Sequence, residues 1–281
     1  MTLDREQMLH EMGLSPTWKL RDTSGVARTS QAPDIVEPLR SDPLAADQIP
    51  SPPVSRPLAP ASQGAATADL ARPEQIACMG WDELQQTVAE CRACGLSEQR
   101  QQTVFGVGDG AADWLFIGEA PGSEEDARGE PFVGPAGKLL DAMLAAIALQ
   151  RGRDVYIANA VKCRPPGNRT PEAAELASCA PYLKRQIALL QPRLIVLLGR
   201  AAMQAVLGDE IGGGTLAAMR GKTFEYVDGE RRIPVLVTYH PAYLLRTLPD
   251  KAKSWQDLCR ARALMREAKA GGLAETSPDP I

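Results

Sequence analysis

The apolar residues of this chain change rhythm along its length. Four short runs, at residues 114–117, 155–161, 194–198 and 235–238, are nearly continuous, rich in Val, Ile and Leu, and bounded by Gly, Pro or charged residues. Runs of that length and composition predict strands buried on both faces. Between them the spacing turns helical. Leu140, Met143, Leu144 and Ile147 fall on one stripe of a helix over 137–150. Pro171-Glu172 opens another that passes Cys179, restarts near Pro181 and stops around Leu190, ahead of Pro192. An earlier helix over 81–93 carries Trp81, Leu84, Val88 and either Cys91 or Ala93 on its apolar side. Strands alternating with helices predict an α/β domain, a mostly parallel sheet with helices on both faces, spanning about residues 78–270 and followed by a flexible C-terminus at 271–281.

The pattern fails ahead of that domain. Leu3, Met8, Leu9, Met12 and Leu14 suit one or two amphipathic turns, but from Pro33 to Pro73 prolines recur with almost no aromatic or long apolar cluster between them. Such a segment buries too little surface to offset the cost of ordering it, so residues 1–75 are expected to be a disordered tail, with order beginning near Ala77. The first 14 residues are either a docking segment for a protein partner of unknown identity or a frayed end. The tail carries a net charge of −3 and the remainder −1. An acidic chain is not a general nucleic-acid coat, although a near-neutral body leaves room for a local basic face. No run approaches a membrane span and the charged start is unlike a signal peptide, so the expected setting is the cytoplasm, without membrane contact and as a monomer.

Chemistry gathers where the strands end. The first runs into Gly118-Glu119-Ala120-Pro121-Gly122; the second carries Asn159 and ends at Lys162-Cys163-Arg164-Pro165-Pro166; the third meets Gly199-Arg200 and the fourth His240-Pro241. In an open α/β sheet the crevice beyond the carboxyl ends of the strands is where ligands bind. Gly106-Val107-Gly108-Asp109-Gly110 is not a dinucleotide loop, because it precedes the first strong strand and opens no helix. Of the two histidines, His10 lies in the tail and His240 at the rim. Lys162, Arg164, Asn168 and Arg169 make a loop of phosphate-type donors, and Arg200 begins the next helix. After His240, Leu244, Leu245 and Arg246 either wedge into a base stack or start a helix whose leucines enter the core.

Six cysteines without a secretion signal favour metal ligation or plain thiols over disulfides. Cys91 and Cys94 form a C-x2-C pair, while Cys163 and Cys179 have fifteen residues between them. A zinc ribbon would bring a second close pair; a tight pair with two dispersed thiols suits an iron-sulfur cluster at least as well. Cys78 and Cys259 are left over, the one a linker-edge thiol and the other a small buried hydrophobe.

Gly118-Glu119-Ala120-Pro121-Gly122, Pro131-Phe132-Val133-Gly134, Asn159 with Lys162-Cys163-Arg164-Pro165-Pro166 and Asn168-Arg169, and His240-Pro241-Ala242-Tyr243-Leu244-Leu245 together resemble the family 4 uracil-DNA glycosylases over about residues 78–265. The resemblance implies a three-layer α/β/α fold with a central four-stranded parallel sheet. It also implies a structural 4Fe-4S cluster on Cys91, Cys94, Cys163 and Cys179, and excision of uracil from DNA in base excision repair. By the same resemblance Phe132 stacks on the flipped base and Asn159 reads its edge. Gly118 and Ala120 let the backbone approach, and His240 serves the departing uracil. Glu125 excludes the thymine methyl, Leu244 or Leu245 fills the vacated stack, and Arg164, Asn168, Arg169, Arg200 and Arg246 meet DNA. Glu119, where related families place Asp or Asn, either orients water or leaves catalysis to leaving-group stabilisation. The alternatives are a non-catalytic uracil-DNA binder and a covalent trap; the short loop at 164–169 and the lone folded histidine count against the trap.

Overall fold

The computed structural model describes residues 65–208 and 214–274, with side chains from 72 to 270. The expected docking segment in the first 14 residues and most of the expected tail lie outside this range. Helix α1, Ala65–Cys78, starts inside the stretch expected to be disordered and contains Pro73. Its Ile76 is buried against helix α2, Trp81–Glu90, whose inner face carries Leu84 and Val88. That packing provides an apolar anchor the proline count does not register.

The sheet is built on β2, Trp114–Gly118, every residue of which is buried. It pairs in parallel with β3, Val155–Asn159, on one side and with β4, Leu194–Leu198, on the other; β4 pairs in parallel with β6, Arg231–Thr238. These are the four expected strands. Two antiparallel edges are added, β1 (Val107–Gly108) on β3 and β5 (Thr223–Asp228) on β6, giving six strands in the order β1-β3-β2-β4-β6-β5. Neither edge has a continuous apolar run. β1 is two residues long and glycine-rich, and β5 alternates exposed and half-buried residues, as an edge strand with one wet face does.

Alternation along the central strands makes the layers. Trp114, Phe116, Val155, Ile157, Val196 and Leu236 point to one face, against α4 (Pro135–Ala146) and α9 (Lys251–Ala274). Leu115, Ile117, Ala158, Ile195, Leu197 and Val237 point to the other, against α5 (Ala173–Leu190) and α6 (Arg200–Leu207). The three-layer α/β/α arrangement is therefore as expected. Helix α5 runs unbroken through Pro181. On α9, Leu258, Ala261 and Met265 share the inward stripe, which turns Cys259 outward; it is exposed, not the buried hydrophobe expected.

Chain reversal about β2 places β3 and β4 on opposite sides of it, so the switch point of the sheet lies at its carboxyl end. The end of β6 is fixed from behind. Thr238 donates to Asp257 of α9 at 2.8 Å, and Asp257 is paired with Arg220 at 2.8 Å. Among the described residues no helix is long and apolar enough to cross a membrane.

Candidate active site

The four strand ends open onto one cavity of about 730 Å³, whose walls include Glu119, Phe132, Asn159, Arg200 and His240. Backbone pairing between β2 and β3 continues past both strands, Ala160 N–H donating to the Gly118 carbonyl at 2.9 Å and Val161 N–H to that of Glu119 at 3.2 Å. That extension holds the two side chains after it in fixed register.

At the floor sit Asn159 and Phe132, both almost fully buried. They approach each other over Gly118. A Cβ on Gly118 would collide with Asn159 Oδ1 and lie 2.5 Å from Phe132 Cζ, so only glycine leaves both groups in place. Asn159 Oδ1 has no hydrogen-bond partner, although the residue is only 2% exposed. A buried amide oxygen without a donor costs on the order of 1–3 kcal/mol, and a ligand N–H would remove that cost.

Phe132 adopts φ 57°, the left-handed region that a bulky L residue enters at a cost on the order of 1–2 kcal/mol. Its neighbours impose this. Glu125, in the short helix α3 (Ser123–Arg128), accepts from the N–H groups of Val133 at 2.9 Å, Gly134 at 3.0 Å and Gly122 at 3.1 Å. Both of its oxygens are thereby fixed while the residue borders the cavity. The Phe132 carbonyl occupies the place where a side chain at Gly137 would begin.

His240 caps helix α8, Pro241–Arg246, its Nδ1 accepting from the Ala242 N–H at 3.2 Å. An accepting Nδ1 puts the proton of the neutral ring on Nε2. Burial pushes the imidazole pKa down to about 4, the Arg246 charge adds to this and Glu125 opposes it, so the ring is neutral near pH 7. It lies 5.4 Å from the Phe132 ring, centroid to centroid. Gly199, at φ 92°, leaves room for it, since a Cβ there would be 3.0 Å from His240 Cβ. Across the cavity burial raises the Glu119 carboxyl above its usual range, opposed by a hydrogen bond with Thr170.

The cationic residues divide. Arg200 and Arg246 are exposed at the wall of the cavity, which Ala120 and Asn168 also line. Arg169 also borders the cavity, but its guanidinium grips Glu175 at 2.9 and 2.6 Å, and Arg164 donates to Asn168 Oδ1 at 2.7 Å. Leu244 is fully buried in the core, because it faces α4 and the sheet, whereas Leu245 is 41% and Leu248 54% exposed. Sequence reasoning names Gly199 only as the end of the third strand and does not single out Thr170 or Leu248. Only Gly199 has a local signal, a glycine between a strand and a helix.

Cys91, Cys94, Cys163 and Cys179 line a second, small cavity behind the loop that joins β3 to α5. Arg100 donates to Cys163 Sγ at 2.9 Å and to the Cys91 carbonyl at 2.7 Å; the Lys162 N–H donates to Cys179 Sγ at 3.3 Å. Burial pushes the Cys179 thiol up to about 12 and raises Cys163, while it lowers the Lys162 amine to about 8. Among the described residues no three Cys, His, Asp or Glu side chains converge on a point suited to a single metal ion. Cys78 and Cys259 are exposed and stand apart from this group.

Comparison with known proteins places these features in a family. The profile of the Uracil DNA glycosylase superfamily matches residues 105–259. The chain is 44% identical over 165 residues to a type-4 uracil-DNA glycosylase of Archaeoglobus fulgidus, covering 58% of this chain and 82% of the relative. To those of Sulfurisphaera tokodaii and Thermotoga maritima it is 41% and 38% identical, over 58% and 66% of this chain and 75% and 97% of theirs.

The His240 geometry makes a spectroscopic prediction. In nitrogen-15 spectra its ring should stay neutral, protonated on Nε2, from pH 8 down to about pH 5, and titrate near 4. Because the folded pKa lies below the unfolded one, the unfolded chain takes up this proton first, and the stability the neutral ring contributes declines as pH falls from about 6.5 toward 4. An imidazolium signal at pH 6 would contradict the assignment.

Proposed function

This chain belongs to the uracil-DNA glycosylase superfamily, and from that premise we propose that it flips uracil out of DNA and hydrolyses the N-glycosidic bond, leaving an abasic site for base excision repair. The observation that carries the reading is the unpartnered, buried Asn159 Oδ1 beside the Phe132 ring. Uracil presents an N–H flanked by two carbonyls. Asn159 would accept from N3–H and donate to O4, with the base stacked on Phe132. Cytosine offers a lone pair at N3 and an amino group at position 4, so both contacts would turn repulsive.

Uracil departs as an anion and leaves an oxocarbenium-like sugar. The Nε2–H of His240 would donate to O2 as negative charge develops, and neutrality suits it, since a neutral donor in a buried site avoids the cost of a charged ground state. Glu119, whose carboxyl is raised by burial, would orient the attacking water and, once ionised, balance the positive sugar. Glu125, immobilised by three backbone N–H groups, forms a rigid wall suited to excluding a C5 methyl. Leu245, with Leu248 close by in sequence, would enter the gap in the stack, and Arg200 and Arg246 would meet phosphates, with the Arg164, Asn168 and Arg169 loop alongside.

The donor chemistry at the cysteine cavity suits a 4Fe-4S cluster. Its donors are all thiols, and Arg100 and Lys162 stand against them as cations that offset the charge of a thiolate-bound cluster. When bound, the cluster would serve as a structural clasp, as no electrons move in glycosidic hydrolysis. Those four residues would tie α2 to the loop at 163–179, whose Asn168, Arg169 and Thr170 form one wall of the active cavity. Thiol ligation of this kind would suit the reducing cytoplasm.

Incubation with a uracil-containing oligonucleotide, then alkaline cleavage, tests the activity. Wild type should turn over repeatedly, and Asn159→Ala should lose about 10²–10³-fold in single-turnover rate. An Asn159→Ala rate equal to wild type would remove the base-reading role; retention without cleavage would identify a binder, and a denaturant-stable adduct a trap. The purified protein should be brown, absorb near ~400 nm and carry about four irons. A colourless protein with one zinc would overturn the cluster assignment.

A further inference from the structure

Phe132 is held from two sides, and only one side belongs to the motifs already discussed. Just after it in the chain, the Glu125 carboxylate accepts from the N–H groups of Val133 and Gly134. On its carbonyl side stands Arg151, from the loop between α4 and β3. Arg151 Nη1 donates to the Pro131 carbonyl at 2.8 Å and Nη2 to the Phe132 carbonyl at 2.7 Å. Its fork is aimed by Asp141 of α4, which accepts from Nε at 3.0 Å. The guanidinium is partly shielded, with 23% of the side chain exposed. A cation on two successive carbonyls and an anion on the next two N–H groups bracket the peptide that carries Phe132 at φ 57°. Two successive carbonyls, one on each terminal nitrogen, suit a planar fork better than a point charge.

We propose that Arg151 is a positioning residue for uracil excision, acting through the backbone of Phe132 to hold its ring ready for stacking before the base arrives. The inference rests on Phe132 being the stacking surface. Without Arg151 the peptide at 131–132 can relax from the left-handed region, carrying the ring off the floor formed by Gly118 and Asn159. Preorganisation of this kind affects the rate of the step that uses the ring, not fold alone.

The experiment is single-turnover excision at saturating enzyme for wild type, Arg151→Ala, Arg151→Lys, Phe132→Ala and the Arg151→Ala/Phe132→Ala double variant, with thermal midpoints measured alongside. Arg151→Ala should slow excision about 10–100-fold, and Arg151→Lys, which keeps one cation near the carbonyls, should recover much of it. In the Phe132→Ala background removal of Arg151 should change the rate less than about threefold, because its effect passes through the missing ring. A wild-type rate for Arg151→Ala, or the same loss with and without Phe132, would overturn the proposal. Should Arg151→Ala not fold, Arg151→Gln decides: a several-fold loss confined to the Phe132 background supports the proposal, and no loss overturns it. Absence of excision by wild type would instead refute the function itself.

Discussion

Everything at the rim depends on one close approach, that of the Phe132 ring and the Asn159 amide over the absent side chain of Gly118. The three residues come from different places: Gly118 ends β2, Asn159 ends β3, and Phe132 sits on a loop between them. Parallel pairing with Gly118 opposite Asn159 makes the first contact unavoidable. The second requires a phenylalanine in the left-handed region, which Glu125, Gly137 and Arg151 jointly enforce. Strain of this sort persists only where surrounding structure over-determines it, and it occurs here at the base of the cavity.

One stretch of chain contributes to both cavities. The loop leaving β3 carries Cys163, then Asn168, Arg169 and Thr170, then helix α5 with Cys179. Arg169 folds back onto Glu175, which also caps α5. An ion pair holds the middle of the segment bordering the active cavity, and a cluster on Cys163 and Cys179 would anchor both of its ends. Thr170, which opposes the rise of the Glu119 carboxyl, stands on that segment and lines the active cavity with Glu119.

What could be read from sequence follows from how local each signal is. Strands buried on both faces announce themselves by composition, so the four parallel strands and the helices on α4 and α5 were legible. So were Gly118, Asn159 and His240, as polar or glycine residues at strand ends. The edges were not, because Val107–Gly108 is too short to show a period and Thr223–Asp228 carries no apolar run. Helix α1 was hidden by the prolines around it. Leu244 and Leu245 are adjacent and chemically identical, and only the turn of α8 decides that the first is core and the second exposed. Arg151 meets carbonyls about twenty residues upstream, a contact that no spacing rule predicts.

The central claim is that the open acceptor at Asn159 Oδ1 exists to meet the N3–H of uracil. Calorimetric titration of the full chain with free uracil and with 3-methyluracil tests it most directly, because the methyl group removes that one donor and leaves both carbonyls. The account predicts that uracil binds and that 3-methyluracil binds at least about tenfold more weakly. Equal affinity for the two would contradict it.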